Sequence, residues 1–153
     1  MVDVLNGIVD LLKANLSGYK TIQIGDPTIT PFTYARPAVL ISPMQKNVSA
    51  SNKFTNIDEQ SFPIQIFVLS QDYPTSQDRE GILKGCELAD EVSEVLENSA
   101  NRQLSGVVDG KYLAYDIDYG YFLAQNKHVF SSSPRITATY YKYEDRDLQP
   151  SGL

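Results

Sequence analysis

The spacing of apolar residues predicts two amphipathic helices. In residues 3–16 the apolar side chains recur every three or four positions, and Gly18 follows as a residue that readily adopts the left-handed conformation ending many helices. In the second stretch, Thr75 and Asp78 form the pattern of a capping box, and the helix should end near residues 98–101. Its buried face is predicted to comprise Ile82, Cys86, Ala89, Val92, Ser93 and Leu96, with Glu91 on the exposed arc.

Other segments have the composition and alternation of β-strands. Residues 38–43 and 62–70 are rich in β-branched and aromatic side chains, and the second segment is apolar on both faces near its end, as is typical of a central strand. Residues 111–122 and 135–144 alternate apolar and polar positions, so we predict that they pair as antiparallel neighbours. Between them, residues 124–134 are predicted to be a polar linker.

The order of these elements predicts an α+β fold. We expect a mixed, mainly antiparallel sheet with an N-terminal helix and one long amphipathic helix packed on it. At 153 residues the chain fits a single domain, 1–153, with enough length to bury a sizeable core. Residues 145–153 are predicted to form a flexible tail.

Residues 45–61 form a long polar excursion between two strongly β segments. Loops of this length inside a compact domain are usually functional or disordered. The excursion nevertheless contains Val48, Phe54 and Ile57, three apolar side chains for which a purely solvated loop has little use. We therefore predict a long β-hairpin with a mobile tip near residues 51–53, which becomes ordered when it contacts a neighbouring molecule.

Two further pairs of residues are predicted to contact partners. Leu88 and Val95 widen the apolar stripe of the second helix beyond the face that turns to the core. Tyr141 and Tyr143 belong to a tyrosine-rich strand, and tyrosine is enriched at protein interfaces. Packing within the sheet accounts for these tyrosines equally well.

Net charge and composition restrict the classes of function. With 13 basic and 19 acidic residues the chain carries a formal charge of −6, which argues against tight nonspecific binding to nucleic acid. The N-terminal segment does not match a signal peptide, and no run of apolar residues is long enough to span a membrane. A single cysteine cannot form an internal disulfide, which fits a reducing compartment.

Few residues are available for catalysis. Cys86 is the one thiol and His128 the one imidazole, and neither has the sequence context of a nucleophile and its base. Asp116 and Asp118 share one face of a predicted strand and would suit a metal-dependent enzyme, although alternating acids are common on the solvent face of a sheet. We therefore predict no enzyme activity, no cofactor and no metal site.

Four segments carry a resemblance to a known family. They are VLNGIVDLLKANL, ARPAVLISP, FPIQIFVLSQD and ILKGCELADEVSEVLEN, and the strands YLAYDIDYGYF and RITATYYKYE complete the pattern. Over residues 4–144 the chain resembles the tail-terminator (tail completion, neck) proteins of tailed bacteriophages. The resemblance implies a structural virion protein, assembled in the host cytoplasm, that forms a ring of six subunits on the tail tube.

The resemblance also implies a set of partners. The ring would contact the tail tube protein, a neck or connector protein and, in contractile tails, the sheath protein, while DNA passes through its lumen without specific binding. Related neck and head-completion proteins have a similar size and a similar α+β character, so they are one alternative. A protein-binding adaptor that accepts a peptide at a sheet edge is another.

Overall fold

The computed structural model describes residues 1–29, 33–52, 57–109 and 113–145. The helices are α1 (Val2–Asn15) and α2 (Asp78–Glu97), the latter preceded by a 3₁₀ turn at Thr75–Gln77. The strands are β1 (Thr21–Ile24), β2 (Ala38–Pro43), β3 (Asn47–Asn52), β4 (Ile57–Leu69), β5 (Asp72–Pro74), β6 (Ala114–Asp118), β7 (Phe122–Asn126), β8 (Val129–Ser132) and β9 (Arg135–Asp145).

The main sheet confirms the predicted α+β class. Its strands follow the order β1-β2-β4-β9-β6, and β3 pairs with β4 outside this path. Only β1 and β2 run parallel among the described strands of this sheet, and the predicted antiparallel pairing of β6 with β9 is present. The central position of β4 agrees with its apolar residues on both faces.

Both helices lie on one face of this sheet and form the main core with it. The sheet contributes alternate residues of each strand, such as Ile64 and Ile66 of β4, because side chains alternate between the two faces. The helices contribute their apolar stripes, and Leu96 is fully buried as predicted. None of the helices in the described part of the chain combines the length and apolar character that a membrane span requires.

A second sheet of three strands, in the order β5-β8-β7, was not predicted from the sequence. The segment interpreted as a polar linker forms the end of β7 and all of β8, and the described part of the predicted strand 111–122 supplies β6 and the first residue of β7. The serines of β8 are buried, and their polar groups bond to the end of β4: Ser131 Oγ donates to the Ser70 carbonyl, and the Ser132 N–H donates to Ser70 Oγ. Because these hydrogen bonds pair the Ser131 hydroxyl and the Ser132 N–H, a polar segment can be buried here.

The first turn of α2 also differs from the prediction. No side chain caps this helix, and the Thr75 hydroxyl instead donates to the carbonyl of Lys127, in the turn between β7 and β8. The predicted capping box is therefore wrong, because a tertiary contact takes the hydroxyl. Glu91 is also not fully exposed, since it is half-buried near Tyr19 at the base of α1.

Two glycines allow α2 to lie close to the second sheet. A Cβ atom on Gly81 would come within 2.4 Å of Cζ of Phe130, and one on Gly85 would come within 1.9 Å of Oγ of Ser132. Both distances are far below van der Waals contact, so a side chain at either position would push the helix away from β8. This close approach fixes the position of the small sheet against the start of α2.

Candidate assembly surface

The most prominent surface feature is a three-stranded extension of the main sheet. It consists of β3, the first residues of β4 and the last residues of β9, and it continues beyond the point where β2 ends at Pro43 opposite Ile64. β4 alone contains 13 residues and therefore runs about 40 Å from the extension into the body of the protein. The predicted hairpin over residues 45–61 is thus present, and β9 adds a third strand to it.

The third strand changes the interpretation of this excursion. The sequence predicted that residues 45–61 would become ordered only against a neighbouring molecule. In the single chain, β9 already pairs with residues 57–61, with Ile57 opposite Asp145 and Ser61 opposite Tyr141. Of the predicted mobile tip near residues 51–53, residues 51 and 52 belong to β3, whereas residue 53 lies outside the described residues, as does Phe54.

The extension has two chemically different faces. Val48, Gln60 and Lys142 lie opposite one another in the three strands and face the side of the sheet that carries the helices. Ser49, Glu59 and Tyr143 form the next row, which faces the other way because adjacent residues alternate. The predicted contact residues of the extension are therefore divided, with Val48 on one face and Tyr141 and Tyr143 on the other.

Exposure distinguishes the predicted contact residues further. Val48 is 56% exposed and Tyr143 is 51% exposed, so both are accessible to a partner. Leu88 is only 5% exposed and belongs to the main core, so its assignment to a partner surface is wrong. Val95 is half-buried against the same core. Of Ile57 only the backbone, in β4, falls within the described structure.

The two outer edges of the extension differ in whether their backbone groups are already hydrogen-bonded. At the β9 edge, the Asp109 N–H donates to the Tyr141 carbonyl, and the Tyr143 N–H donates to Oδ2 of Asp109. Asp109 thereby occupies backbone groups that an additional strand would need. At the other edge, β3 pairs with β4 alone among the described strands. The open edge of the extension is therefore the one formed by β3.

The acidic side of α2 is fixed to β6 and the segment that follows it by two tyrosines. Tyr115 donates its hydroxyl hydrogen bond to Glu97, and Tyr119 donates to Asp90. The hydrogen bond to Asp90 raises the pKa of Tyr119 to about 12, and the bond to Glu97 raises the pKa of Tyr115. The sequence did not indicate the acidic partners of these tyrosines.

We expect Tyr119→Phe to reduce the sensitivity of the fold to alkaline pH. The folded chain holds the Tyr119 proton more tightly than the unfolded chain, so the hydrogen bond stabilises the fold fully below pH 10, and this stabilisation is lost as the pH rises towards about 12. Urea unfolding at a series of pH values measures the loss. A wild-type protein that loses no more stability than the variant across this window would contradict the assignment.

Asp116 and Asp118 lie on the open face of the sheet beside a cation. Both are exposed, and the β6–β9 register places Asp118 opposite Arg135. The Arg135 guanidinium lies 3.6 Å from the ring centroid of Tyr121 and 5.3 Å from that of Phe67. Among the described residues, no three side chains of the kinds that hold metal ions lie together. The two aspartates therefore border a polar cleft of about 380 Å³ without forming a recognisable metal site.

Cys86 and His128 are not placed as a catalytic pair. The His128 carbonyl accepts a hydrogen bond from the Thr75 N–H, which locates the imidazole-bearing turn beside the residues that precede α2. Cys86 lies eight residues into that helix, which corresponds to about 12 Å along its axis. A nucleophile and its base must approach within hydrogen-bond distance, and this arrangement does not bring them together.

A groove at the start of α2 has a mainly apolar lining. It has a volume of about 340 Å³ and is lined by Thr75, Asp78, Ile82, Phe122 and Phe130. Phe122 packs edge-on against Phe130, with ring centroids 6.0 Å apart and an interplanar angle of 67°. The sequence did not reveal the groove, because Ile82 was assigned to the buried face of α2 and Phe122 to a longer β6.

Comparison of the chain with protein-family models and with curated proteins finds no match to either. The function is therefore inferred from the geometry of the extension, the sheet edges and the exposed apolar side chains.

Proposed function

We propose that the protein is a tail terminator of a tailed bacteriophage, a structural virion protein that acts by assembly and not by catalysis. In this role six copies form a ring on the end of the tail tube, stop its polymerisation and provide the surface for joining the head. The proposal is supported by the order of elements that resembles this family and by an α+β fold with a long β extension.

The extension is the observation that carries the proposal. A closed ring requires two different patches on each subunit, because each copy contacts its two neighbours through different surfaces. The extension presents exposed Val48 and Tyr143 on its two opposite faces, and β3 leaves an open edge among the described strands. Such a feature is stabilised by contact with a partner, since exposed apolar side chains and unpaired strand edges favour association.

The charge of the chain fits a conduit for DNA. A net charge of −6 gives the protein little tendency to displace the counterions of passing phosphates, so DNA moves through a ring without adhering to it. The tube protein and a neck or connector protein are the proposed partners on the two sides of the ring, with the sheath protein as an additional partner in a contractile tail.

Tail length tests the proposed function directly. Tails assembled without this protein should be longer than normal and should lack heads, because nothing stops the addition of tube subunits. Electron microscopy of the particles measures both properties, and supplying the wild-type chain from a plasmid should restore them. Tails of normal length that lack only heads would favour a neck protein instead. Tails of normal length with joined heads would contradict both the tail-terminator and the neck-protein hypotheses.

A protein-binding adaptor remains a second candidate because β6 is an edge strand. Within the described sheet β6 pairs only with β9, so its other side offers backbone groups to an incoming peptide strand. An adaptor would remain a monomer at all concentrations, whereas a ring former should associate. Analytical ultracentrifugation over a wide concentration range separates the two candidates.

A further inference from the structure

Arg135 is a cation without an acceptor at the polar cleft on the open face of the main sheet. Its Nε is buried and has no hydrogen-bond partner. Within the described part of the chain, its guanidinium forms neither an ion pair nor a side-chain hydrogen bond. A buried donor without a partner is costly, and native proteins leave few of them. The position of this guanidinium therefore depends on contacts other than its own hydrogen bonds.

Two aromatic rings hold the guanidinium in place. It lies 3.6 Å from the ring centroid of Tyr121 and 5.3 Å from that of Phe67, and a cation is attracted to a ring within about 6 Å. The rings supply no oxygen acceptors. Nη1 and Nη2 of Arg135 are not among the buried unpaired atoms, and the residue lines the cleft. The planar fork of these donors matches the two oxygens of a carboxylate.

The acids of the cleft lie near Arg135 without pairing with it. Asp118 is directly opposite Arg135 in the β6–β9 register, and Asp116 is opposite Thr137, two residues further along β9. Oδ1 of Asp118 accepts a hydrogen bond from the Gly120 N–H, which ties this oxygen to its own turn. The cleft therefore presents a positive group and two negative groups that do not neutralise each other by direct contact.

The charges that line the cleft restrict the class of its ligand. Two acids and one base leave the lining with a net negative charge, so a simple anion such as inorganic phosphate is disfavoured. A simple cation would leave the guanidinium without an acceptor. A zwitterion satisfies both kinds of group through charge-assisted hydrogen bonds. The cleft volume of about 380 Å³ lies within the range of small-molecule sites, about 300–1,000 Å³.

We propose that this cleft binds a free amino acid. Its carboxylate accepts hydrogen bonds from Nη1 and Nη2 of Arg135, and its ammonium group lies towards Asp116 and Asp118. Tyr119 also lines the cleft, and the hydrogen bond that it donates to Asp90 fixes this part of the wall. The inference goes beyond the proposed function and does not depend on it, because it assigns a small ligand to the subunit and not a contact between subunits.

Titration of isotope-labelled protein with the standard free amino acids, followed by NMR, tests the proposal. At least one amino acid should shift the amide signals of Asp116, Asp118 and Arg135 in a saturable manner. Acetate and methylammonium, which carry one charge each, should bind at least about tenfold more weakly because each lacks half of the charged contacts. Acetate that binds as tightly as the best amino acid would overturn the inference, as would the absence of a saturable shift with every amino acid.

Substitutions examine the two halves of the site separately. Arg135→Gln should weaken binding of the amino acid at least about tenfold, and Arg79→Gln, which changes an exposed arginine of α2, is the matched control. Asp116→Asn combined with Asp118→Asn should weaken amino-acid binding but strengthen acetate binding, because the removal of negative charge favours an anion. Asp10→Asn, at an exposed position of α1 that does not line this cleft, is the control for these changes.

The opposite responses of the two ligands make the double aspartate variant decisive. Circular dichroism verifies that each variant folds, and the double variant tests the site even if Arg135→Gln does not fold. A double variant that weakens both ligands equally, or changes the binding of neither, would overturn the inference. The tail-length experiment uses particles that lack the protein, so its result does not affect this test.

Discussion

Leu96→Ala should lower the free energy of unfolding by about 2–5 kcal/mol. Leu96 lies in the last turn of α2, is fully buried and belongs to the core between the helices and the main sheet. Truncation removes apolar contacts and leaves a cavity that the surrounding β-strands, held by their ladders, cannot readily close. Urea unfolding monitored by circular dichroism measures the change.

Glu94→Ala is the matched control on the same helix. Glu94 is exposed, so its substitution should change stability by no more than about 0.5 kcal/mol. Glu91 is less suitable for this purpose because it is half-buried near Tyr19. Equal losses for Leu96→Ala and Glu94→Ala would mean that α2 faces the sheet with a different side.

Gly85→Ala should destabilise the protein by about 1–3 kcal/mol, although alanine is the better helix former. A Cβ atom at this position would lie 1.9 Å from Oγ and 2.6 Å from Cβ of Ser132, so α2 or β8 would have to shift. In an exposed helix the same change gains roughly 1 kcal/mol, which makes the sign of the effect informative. Thermal or urea unfolding measures it.

A second variant separates crowding from other causes. Ser132→Gly removes both atoms that would collide with the new methyl group, so Gly85→Ala should be far less harmful in that background than in the wild type. Ser132→Gly also weakens β8 by itself. The stability change caused by Gly85→Ala must therefore be measured in both the wild-type and the Ser132→Gly background, and the two changes compared. A stabilising Gly85→Ala substitution in the wild-type background would contradict the close approach of helix and sheet.

The position of α2 also determines the shape of the apolar groove at its start. The close contacts of Gly81 and Gly85 with β8 hold Ile82 beside Phe122, and the bonds from Tyr115 and Tyr119 hold the other side of the helix. A shift of α2 caused by Gly85→Ala would therefore also deform the apolar groove.

The sequence by itself determined the two helices, the central strand and the α+β class. Each depends on a local period, 3.6 residues for a helix and two for a strand, together with enough apolar side chains to fill one core. Leu96 could be assigned to the core on this basis. The long hairpin over residues 45–61 was also predictable, because two strongly β segments flanked a segment too long for a tight turn.

The tertiary structure decided the features that depend on pairing across the chain. In the second sheet Ser70 pairs with the Ser131 hydroxyl and the Ser132 N–H of buried β8, and no hydrophobic pattern along the sequence indicates these hydrogen bonds. Leu88 proved to be core because the arc of a helix that is buried depends on which elements lie beside it. The opposite orientations of Val48 and Tyr143 follow from strand register, in which a shift of one residue reverses every side chain.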